Sequence, residues 1–410
     1  MTAEFSGTGP SGAGPSNIVI VGASAAGITT AAALRRNGYD RELTLVDAET
    51  HRPYDRPPLS KHLLSGEWDA ERLLLKSEAD LDEMAVGIRP GTTVTDVDLP
   101  GRRLTLGHGD DIAFDRLVLA TGVTPRRLPH SSGVAGVHTL RTLDDATTLS
   151  AELQPGRRLV VVGGGFLGTE VAATAVRLGV DVTIVAGTAT LLERSLGVLV
   201  GEQVAHLHRA NGVKLHIGPA SVVTSVDEIG GRVSGVTLLD GSVLHADVVF
   251  LAIGAAPRLG WLGSSGLSIG DGIECGPDLS AAPGVYAAGD VARWENPLFG
   301  RSMRVEHRTN ATEQGMHVAK RLLDGEQTAF ASVPYFWTDQ YDLKLQVHGW
   351  LRGFDEVRVI EGSFEERRMI AVFRRGDRLT GVLGIGAAKA VRQWRQHVLD
   401  GQPWASVVDS

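Results

Sequence analysis

Glycines at a fixed spacing are the first residues in this chain whose pattern indicates chemistry. Gly163-x-Gly165-x-x-Gly168 follows the apolar run Arg158–Val162 and opens a stretch with helical spacing that ends near Leu178. In a strand-to-helix turn, the first glycine allows the sharp bend, the second lets the backbone approach a pyrophosphate, and the third lets helix and strand pack closely. The free N–H groups at the helix start would face the phosphates. The pattern predicts a dinucleotide site.

An imperfect second copy of this pattern lies near the start of the chain. Asn17–Val21 is followed by Gly22-Ala-Ser-Ala-Ala-Gly27 and then by an Ala-rich stretch. Ser24 stands where the middle glycine is usual, and a small hydroxyl residue still permits a close approach of the backbone. We therefore expect a nucleotide here as well.

Acidic residues at the ends of the next strands would bind a ribose. Asp47 directly follows Glu42–Val46, and Glu49 comes two positions later. Either could bind a ribose 2′-hydroxyl, cap a helix or lie in a solvated turn. In the second copy, Val182–Val185 leads into Ala186-Gly-Thr, which has neither the acid that favours NAD nor the Arg that favours NADP. The choice between NADH and NADPH stays open.

Two further features limit the chemistry. Asp290, after Gly289 at the end of an apolar run, could accept a hydrogen bond from a ligand hydroxyl or cap the following helix. Cys275 is the sole cysteine, so an internal disulfide, a dithiol redox pair and a four-Cys cluster are excluded. It is interpreted as an ordinary buried or loop thiol, and no metal site is predicted.

These motifs need alternating strands and helices to position them. We predict an α/β fold with two Rossmann-like dinucleotide-binding domains, the second inserted in the first, plus an α+β C-terminal domain. Alternating runs beyond residue 332 predict an antiparallel sheet. The expected domains are a disordered tail at 1–16, a first domain at 17–150 and 255–325, an inserted domain at 151–254, and a dimerisation or interface domain at 326–410.

The composition is that of a globular protein. The 410 residues are 43% hydrophobic and 21% charged, with a net charge of −8, which argues against a general nucleic-acid binder. No apolar run reaches the ~18–20 residues that a membrane span needs. The first residues lack the apolar region of a signal peptide. We therefore expect a cytoplasmic protein without membrane or nucleic-acid partners.

A set of motifs, in order along nearly the whole chain, carries a family resemblance. The motifs are RPYDRPPLSK at 52–61, LATG at 119–122, LRTLDD at 140–145, the Gly163–Gly168 turn leading into TE at 169–170, VYAAGDV at 285–291, EHRTNA at 306–311 and YFWTDQY at 335–341. Together they resemble the FAD-dependent NAD(P)H:ferredoxin reductases, the putidaredoxin- and rubredoxin-reductase-like branch of the glutathione-reductase superfamily.

The resemblance implies an enzyme that moves a hydride from NADH or NADPH to FAD. Single electrons would then pass to an iron–sulfur ferredoxin that feeds a cytochrome P450 or a Rieske-type oxygenase. Disulfide reductases of this fold need a cysteine beside the flavin, and the RPYDRPPLSK stretch has none. A homodimer is compatible with the family.

The resemblance also assigns the site residues. Lys61 and Glu170 are expected to meet beside the flavin as the catalytic pair, where the ammonium stabilises developing negative charge and the carboxylate orients it. A plain structural ion pair is the alternative. Asp290 would bind the ribityl chain. The other expected cofactor contacts are Gly22, Ser24, Ala26, Gly27, Asp47, Glu49, Arg56, Val94, Ala120, Thr121, Gly122, Arg141, Gly163, Gly165, Phe166, Leu167, Gly168, Gly254, Gly289, Arg308 and Trp337.

Three positions depart from the family pattern. Ala48 stands where the family has its ribose acid, so Asp47 or Glu49 must substitute, and Ala186 replaces the usual NAD-selecting acid. Arg308 occupies a position that is often Trp. An arginine there could change cofactor stacking or stabilise negative charge on the reduced flavin.

Competing functions remain at this stage. A redox-sensing protein similar to apoptosis-inducing factor would use the same fold and Lys–Glu pair with slow electron transfer, and an NAD(P)H oxidase would consume oxygen. The C-terminal part is rich in arginine, which is either a dock for an acidic ferredoxin or a solvated surface. The arginines are Arg367, Arg368, Arg374, Arg375, Arg378, Arg392 and Arg395.

Overall fold

The apolar runs of the first segment form parallel strands in the computed structural model, which describes residues 15–325 and 327–408. The tail expected at 1–16 lies almost wholly outside the described residues. The strands up to residue 153 are β1 (Asn17–Val21), β2 (Glu42–Val46), β3 (Gly87–Arg89), β4 (Val94–Asp98), β5 (Arg103–Leu106), β6 (Asp111–Ala113), β7 (Arg116–Leu119), β8 (Thr124–Pro125) and β9 (Val137–His138). The helices there are α1 (Ala25–Arg36), α2 (Glu78–Glu83) and α3 (Leu143–Glu152), with 3-10 turns at Pro57–Ser60 and Glu71–Leu73.

The second segment repeats the arrangement. Its strands are β10 (Arg158–Val162), β11 (Asp181–Ala186), β12 (Lys214–Ile217), β13 (Val223–Ile229), β14 (Arg232–Leu238), β15 (Val243–His245) and β16 (Val248–Leu251). Its helices are α4 (Phe166–Arg177) and α5 (Glu193–Ala210), with a 3-10 turn at Pro219–Ser221. The sheet order is β12-β11-β10-β16-β9. Strand β9 therefore pairs with the second sheet, although it precedes residue 150, the expected end of the first domain segment. The domain boundaries themselves stay a prediction.

The third segment returns to the first sheet, as the interrupted pattern predicts. Its strands are β17 (Ala255–Ala256), β18 (Ile269–Gly270), β19 (Gly272–Cys275), β20 (Ser280–Ala282), β21 (Val285–Ala287), β22 (Ala292–Asn296) and β23 (Arg301–Arg304), followed by α6 (Arg308–Asp324), with 3-10 turns at Gly260–Leu262 and Gly289–Val291. Strand β21 pairs in parallel with β7, which gives the order β20-β21-β7-β1-β2-β3. Helix α6 lies against α1, where a Cβ on Gly315 would be 2.6 Å from the Ala26 carbonyl oxygen.

The last segment forms the antiparallel sheet that the alternating runs predict. Its strands are β24 (Tyr335–Gln340), β25 (Leu343–Gly349), β26 (Glu356–Ser363), β27 (Arg368–Arg375) and β28 (Arg378–Ile385), and its helices are α7 (Ala388–Asp400) and α8 (Trp404–Val408). The order is β24-β25-β28-β27-β26. Alternation follows from burial of one face: in β25, Leu345 and Val347 are buried whereas Lys344 is exposed.

The apolar core joins the C-terminal sheet to the second nucleotide unit. Phe373 and Val347 of that sheet share one buried cluster with Leu196 and Val200 of α5 and with Val171 of α4. This packing fixes β24 beside the start of α4. The predicted α/β fold class is confirmed. In the described part of the chain, no helix is long and apolar enough to cross a membrane.

Candidate functional site

The first glycine turn has the backbone that the sequence predicts. Gly22 has a φ of +103°, and a Cβ there would lie 2.4 Å from the Ala120 carbonyl oxygen. A Cβ on Gly27 would lie 1.8 Å from the Gly22 carbonyl oxygen, because α1 packs tightly on β1. Both positions therefore require glycine for the turn itself.

The second turn has the same two constraints and one difference. A Cβ added to Gly163 would lie 2.3 Å from the Ala252 carbonyl oxygen. A Cβ added to Gly168 would lie 2.2 Å from the Gly163 carbonyl oxygen. Gly165, by contrast, has no atom of the described residues within 4 Å of an added Cβ. The protein's own packing does not require glycine at 165, so the open space suits a ligand that approaches the backbone.

The starts of α1 and α4 both face a cavity of about 300 Å³. Ser24 and Gly165 precede these helices, and neither caps its helix with a side chain. Ser24 Oγ instead accepts a hydrogen bond from Arg56 Nε at 3.2 Å. Two uncapped helix starts supply the N–H groups and partial positive charge that two pyrophosphates need, so the residues fit FAD and a nicotinamide dinucleotide.

The cavity brings together many of the residues singled out by the sequence. Its lining includes the predicted residues Ser24, Ala26, Arg56, Lys61, Ala120, Gly122, Arg141, Phe166, Leu167, Glu170, Asp290, Arg308 and Trp337. The predicted residues that do not line this cavity are Gly22, Gly27, Asp47, Glu49, Val94, Thr121, Gly163, Gly165, Gly168, Gly254 and Gly289. Val94 packs in the apolar cluster with Val21 and Leu119.

Lys61 and Glu170 meet in the cavity wall, as expected. Lys61 follows the 3-10 turn Pro57–Ser60 and Glu170 lies in the first turns of α4, and Lys61 Nζ is 2.9 Å from Glu170 Oε2. Their side chains are only 13% and 9% exposed. Ser60 Oγ also donates to Glu170 Oε2 at 2.6 Å, and Lys61 Nζ donates to the Pro57 carbonyl at 3.3 Å. A buried charge pair with these partners has a fixed orientation.

A buried chain of hydrogen bonds, which the sequence did not reveal, holds the other Glu170 oxygen. Thr338 Oγ1 donates to Glu170 Oε1 at 2.7 Å, and Gln340 Nε2 donates to Thr338 Oγ1 at 2.9 Å. Gln340 Oε1 lies 3.0 Å from His208 Nε2, and the Tyr341 hydroxyl lies 3.0 Å from His208 Nδ1. Burial lowers the pKa of His208 to about 4. We call Thr338, Gln340, His208 and Tyr341 the Glu170 chain.

The two acids after β2 are already engaged with the protein. Asp47 accepts hydrogen bonds from the backbone N–H of Ala23 (3.0 Å) and of Glu49 (3.2 Å), and burial raises its pKa. Glu49 pairs with Arg56 at 2.6 Å and accepts a hydrogen bond from Tyr54. The expectation that one of these acids replaces the missing acid at Ala48 stays a prediction.

Asp290 forms an ion pair with Arg141 at 2.9 Å on the cavity wall. Asp290 lies inside the 3-10 turn Gly289–Val291, and its side chain does not cap that turn. The Arg141 backbone carbonyl accepts a hydrogen bond from Arg56 at 2.5 Å. The pair is thereby fixed, with Asp290 directed to the same cavity as Ser24.

An acid in the segment that follows β11 was not predicted from the sequence. Glu193, the first residue of α5, accepts hydrogen bonds from the backbone N–H groups of Ala189 (2.6 Å) and Thr190 (3.3 Å). It lies seven positions after Ala186, the last residue of β11 and the expected place of the acid, so its position gave no signal. Ala186 itself is buried. The geometry leaves the choice between NADH and NADPH open.

Arg308 begins α6 at the cavity and forms an ion pair with Asp55. His307 beside it also lines the cavity and was missed, although it stands in the same EHRTNA motif. Burial lowers the pKa of His307 to about 4, and its Nδ1 has no hydrogen-bond partner among the described residues. Its ring lies 4.7 Å from that of Phe336.

Cys275 lies in β19, where burial raises its pKa to about 12. Such a thiol is a poor nucleophile at neutral pH. It is absent from the cavity wall, which agrees with its interpretation as an ordinary thiol.

Comparison with known proteins gives a consistent family. Residues 16–315 match the pyridine nucleotide-disulphide oxidoreductase family, and residues 335–407 match the reductase C-terminal family. The chain is 34% identical to putidaredoxin reductase of Pseudomonas putida, over 94% of this chain and 92% of that one. It is 38% identical to the ferredoxin–NAD(+) reductase component of a p-cumate 2,3-dioxygenase system from Pseudomonas putida, over 88% of this chain and 87% of that one.

A solved structure agrees with these relatives. The covalent putidaredoxin reductase–putidaredoxin complex matches with a TM-score of 0.90 and 34% identity, over 95% of this chain and 94% of that one. Two dinucleotide turns facing one cavity, a buried Lys–Glu pair without a cysteine beside it, and these matches lead to one assignment. The chain belongs to the FAD-dependent NAD(P)H:ferredoxin reductases of the pyridine nucleotide-disulphide oxidoreductase family.

Proposed function

We propose that this enzyme takes electrons from NAD(P)H and delivers them, through FAD, to an iron–sulfur ferredoxin that serves an oxygenase. The observation that carries the proposal is the Lys61–Glu170 pair, which lies in the one cavity faced by the starts of α1 and α4. The oxygenase is a cytochrome P450 or a Rieske-type enzyme. The proposed compartment is the cytoplasm, where NAD(P)H is available.

The residues of the first segment would hold FAD. The α1 start would receive the pyrophosphate, and Asp290 of the third segment, paired with Arg141, would hold the ribityl chain. When bound, FAD accepts a hydride from NAD(P)H and returns the two electrons singly. The turn Gly163–Gly168 would hold the nicotinamide cofactor at the other side of the same cavity. We propose both the FAD contacts and the nicotinamide contacts from this geometry.

Lys61 is proposed as the cation that stabilises developing negative charge in the cavity. Glu170 holds the ammonium in one orientation, and Ser60 and Thr338 hold Glu170. A preorganised charge in a partly dry site stabilises a transition state without the cost of reorganising solvent.

The arginines of the C-terminal part contribute unequally to a ferredoxin dock. Arg374 pairs with Glu356 at 2.9 Å, and Arg367 and Arg368 also form ion pairs with acids of this chain. Arg392 lies exposed on α7 and is the better candidate for contact with an acidic partner.

The test is stopped-flow reduction of the FAD-loaded protein by NADH and NADPH in parallel, followed by mixing with a panel of ferredoxins. We expect rapid bleaching by at least one nucleotide and ferredoxin reduction in the second mix. Lys61→Met should slow bleaching by about a hundredfold, since an oriented charge of this kind contributes ~3 kcal/mol. A stable charge-transfer species without ferredoxin reduction, or fast oxygen consumption without ferredoxin, would contradict the proposal.

A further inference from the structure

Lys61 and Glu170 lie between two cavities. One is the cofactor cavity described above. The other, about 340 Å³, lies behind the pair and is lined by Lys61, Glu170, Asp339, Tyr341 and Lys344 among others. We call it the rear cavity.

The rear cavity connects the pair to solvent through charged side chains. Asp339 Oδ2 lies 3.9 Å from Lys61 Nζ, and Asp339 Oδ1 lies 3.3 Å from Lys344 Nζ. Exposure rises along this line, from 13% for Lys61 to 28% for Asp339 and 54% for Lys344. Asp339 is thus the carboxylate next to the buried lysine on its solvent side.

The reaction has to release a proton from this region. Oxidation of one NAD(P)H by two oxidised ferredoxins gives NAD(P)⁺, two reduced ferredoxins and one H⁺. The hydride brings two electrons and one proton into the site together, whereas each ferredoxin accepts one electron and no proton. One proton per NAD(P)H must therefore reach solvent from a site whose front cavity is the place of the cofactors.

We propose that this proton leaves through the rear cavity, with Asp339 as the acceptor that receives it from Lys61. An Nζ–H bond of Lys61 would break as an O–H bond forms on Asp339, and Asp339 would then pass this proton to water. Lys61 would regain its proton on the cavity side, from the N–H bond that the reduced cofactor gives up when it has lost its two electrons. The 3.9 Å separation is closed by one water molecule or by a small movement of the lysine. This inference rests on the proposed function, because it assumes hydride entry and single-electron exit.

Glu170 is less suited to carry the proton. Its Oε2 accepts from Ser60 and Lys61, and its Oε1 accepts from Thr338, so both oxygens are already engaged by donors of this protein. Glu170 positions the lysine, and Asp339 connects it to water. Asp339 acts through Lys61 and is therefore a relay residue.

The test uses the FAD-loaded protein, NADH and ferricyanide, which accepts one electron and no proton. Proton release is followed with a pH indicator in weakly buffered solution, and electron delivery with ferricyanide absorbance. In Asp339→Asn we expect bleaching by NADH at the wild-type rate but proton release about tenfold slower. Formate should restore the release, because its carboxylate can replace the missing relay group and it does not buffer near neutral pH.

Three controls separate a relay from a structural effect. Asp342→Asn removes a carboxylate of the same cavity that pairs with Arg367 and should change nothing. Lys344→Met removes the ion-pair partner of Asp339 but keeps its carboxylate and should release protons normally. Asp339→Glu should retain at least half of the wild-type release rate.

The proposal is overturned if Asp339→Asn releases protons at the wild-type rate. It is also overturned if bleaching and proton release slow together and formate has no effect, since that result indicates misplacement of Lys61. Ferricyanide accepts electrons without a protein-binding surface, so the proton-release measurement does not depend on a ferredoxin. A failure to reduce any ferredoxin would therefore count against the proposed function and would leave the proton-release measurement interpretable.

Discussion

At the scale of single residues, the positive charge of Arg308 is partly balanced by the carboxylate of Asp55. Its ion pair with Asp55 at the cavity reduces the field that it exerts on a bound flavin. The departure from Trp at this position therefore has a smaller electrostatic effect than the residue type alone suggests.

We expect Asp55→Asn to raise the flavin reduction potential by about 30 mV, because removal of the carboxylate exposes the Arg308 charge; for two electrons this is ~1.4 kcal/mol. Arg308→Gln should shift the potential in the opposite direction. Spectroelectrochemical titration of both variants checks this. Equal potentials in wild type and both variants would show that Arg308 has no electrostatic role.

His208 makes stability depend on pH. Its pKa is lowered to about 4 in the folded protein against 6.5 in the unfolded chain, so below pH 6.5 the unfolded chain binds a proton that the folded protein does not. The free energy of unfolding should fall as the pH drops from 6.5 to 4, by up to about 3 kcal/mol for this residue.

In His208→Gln this part of the pH dependence should disappear, as measured by denaturant unfolding of the FAD-loaded protein at pH 7 and 4.5. His206→Gln is the matched control, because His206 lies exposed on the same helix two positions earlier. A pH dependence that is the same in wild type and His208→Gln would contradict the assignment.

At the scale of elements, the start of α4 distinguishes a packing glycine from a binding glycine. Gly163→Ala should destabilise the fold, because its Cβ would lie 2.3 Å from the Ala252 carbonyl oxygen. Gly165→Ala should leave the melting temperature unchanged and raise the KM for NAD(P)H about tenfold, since the new methyl group enters open space near the nucleotide. Thermal melts and steady-state kinetics check the pair; a normal KM in Gly165→Ala would remove Gly165 from the site.

Strand β24 places neighbouring side chains on opposite sides of the Lys61–Glu170 pair. Thr338 and Gln340 are buried toward Glu170, and Asp339 between them points to the rear cavity. Thr338→Val keeps the shape but leaves Glu170 Oε1 without this donor, and flavin reduction should slow about tenfold, a loss of ~1.4 kcal/mol. Thr338→Ser should restore the rate. Loss of melting temperature without a change in rate or in its pH profile would make Thr338 merely structural.

At the scale of the whole molecule, the sequence predicts what depends on local spacing. The turns Gly22–Gly27 and Gly163–Gly168, the return of β21 to β7, and the antiparallel C-terminal sheet all follow from short patterns, and the structure has each of them. The meeting of Lys61 with Glu170 came from the family resemblance, since no spacing relates residues so far apart.

What the sequence could not predict depends on tertiary packing. Strand β9 is only two residues long, too short for a pattern to assign it to the second sheet. The Glu170 chain joins β24 to α5, and no local sequence pattern marks Thr338 or His208 as partners in it. Their partners are fixed by the docking of the C-terminal sheet, which sequence spacing does not encode.

The Lys61–Glu170 pair and its donor Thr338 come from three distant parts of the chain: a turn near residue 60, a helix near 170 and a strand near 338. During synthesis, the ribosome has to deliver the strand at 335–340 before the carboxylate of Glu170 receives its last donor. A polypeptide that ends before this strand therefore lacks the Thr338 donor that holds Glu170 beside Lys61.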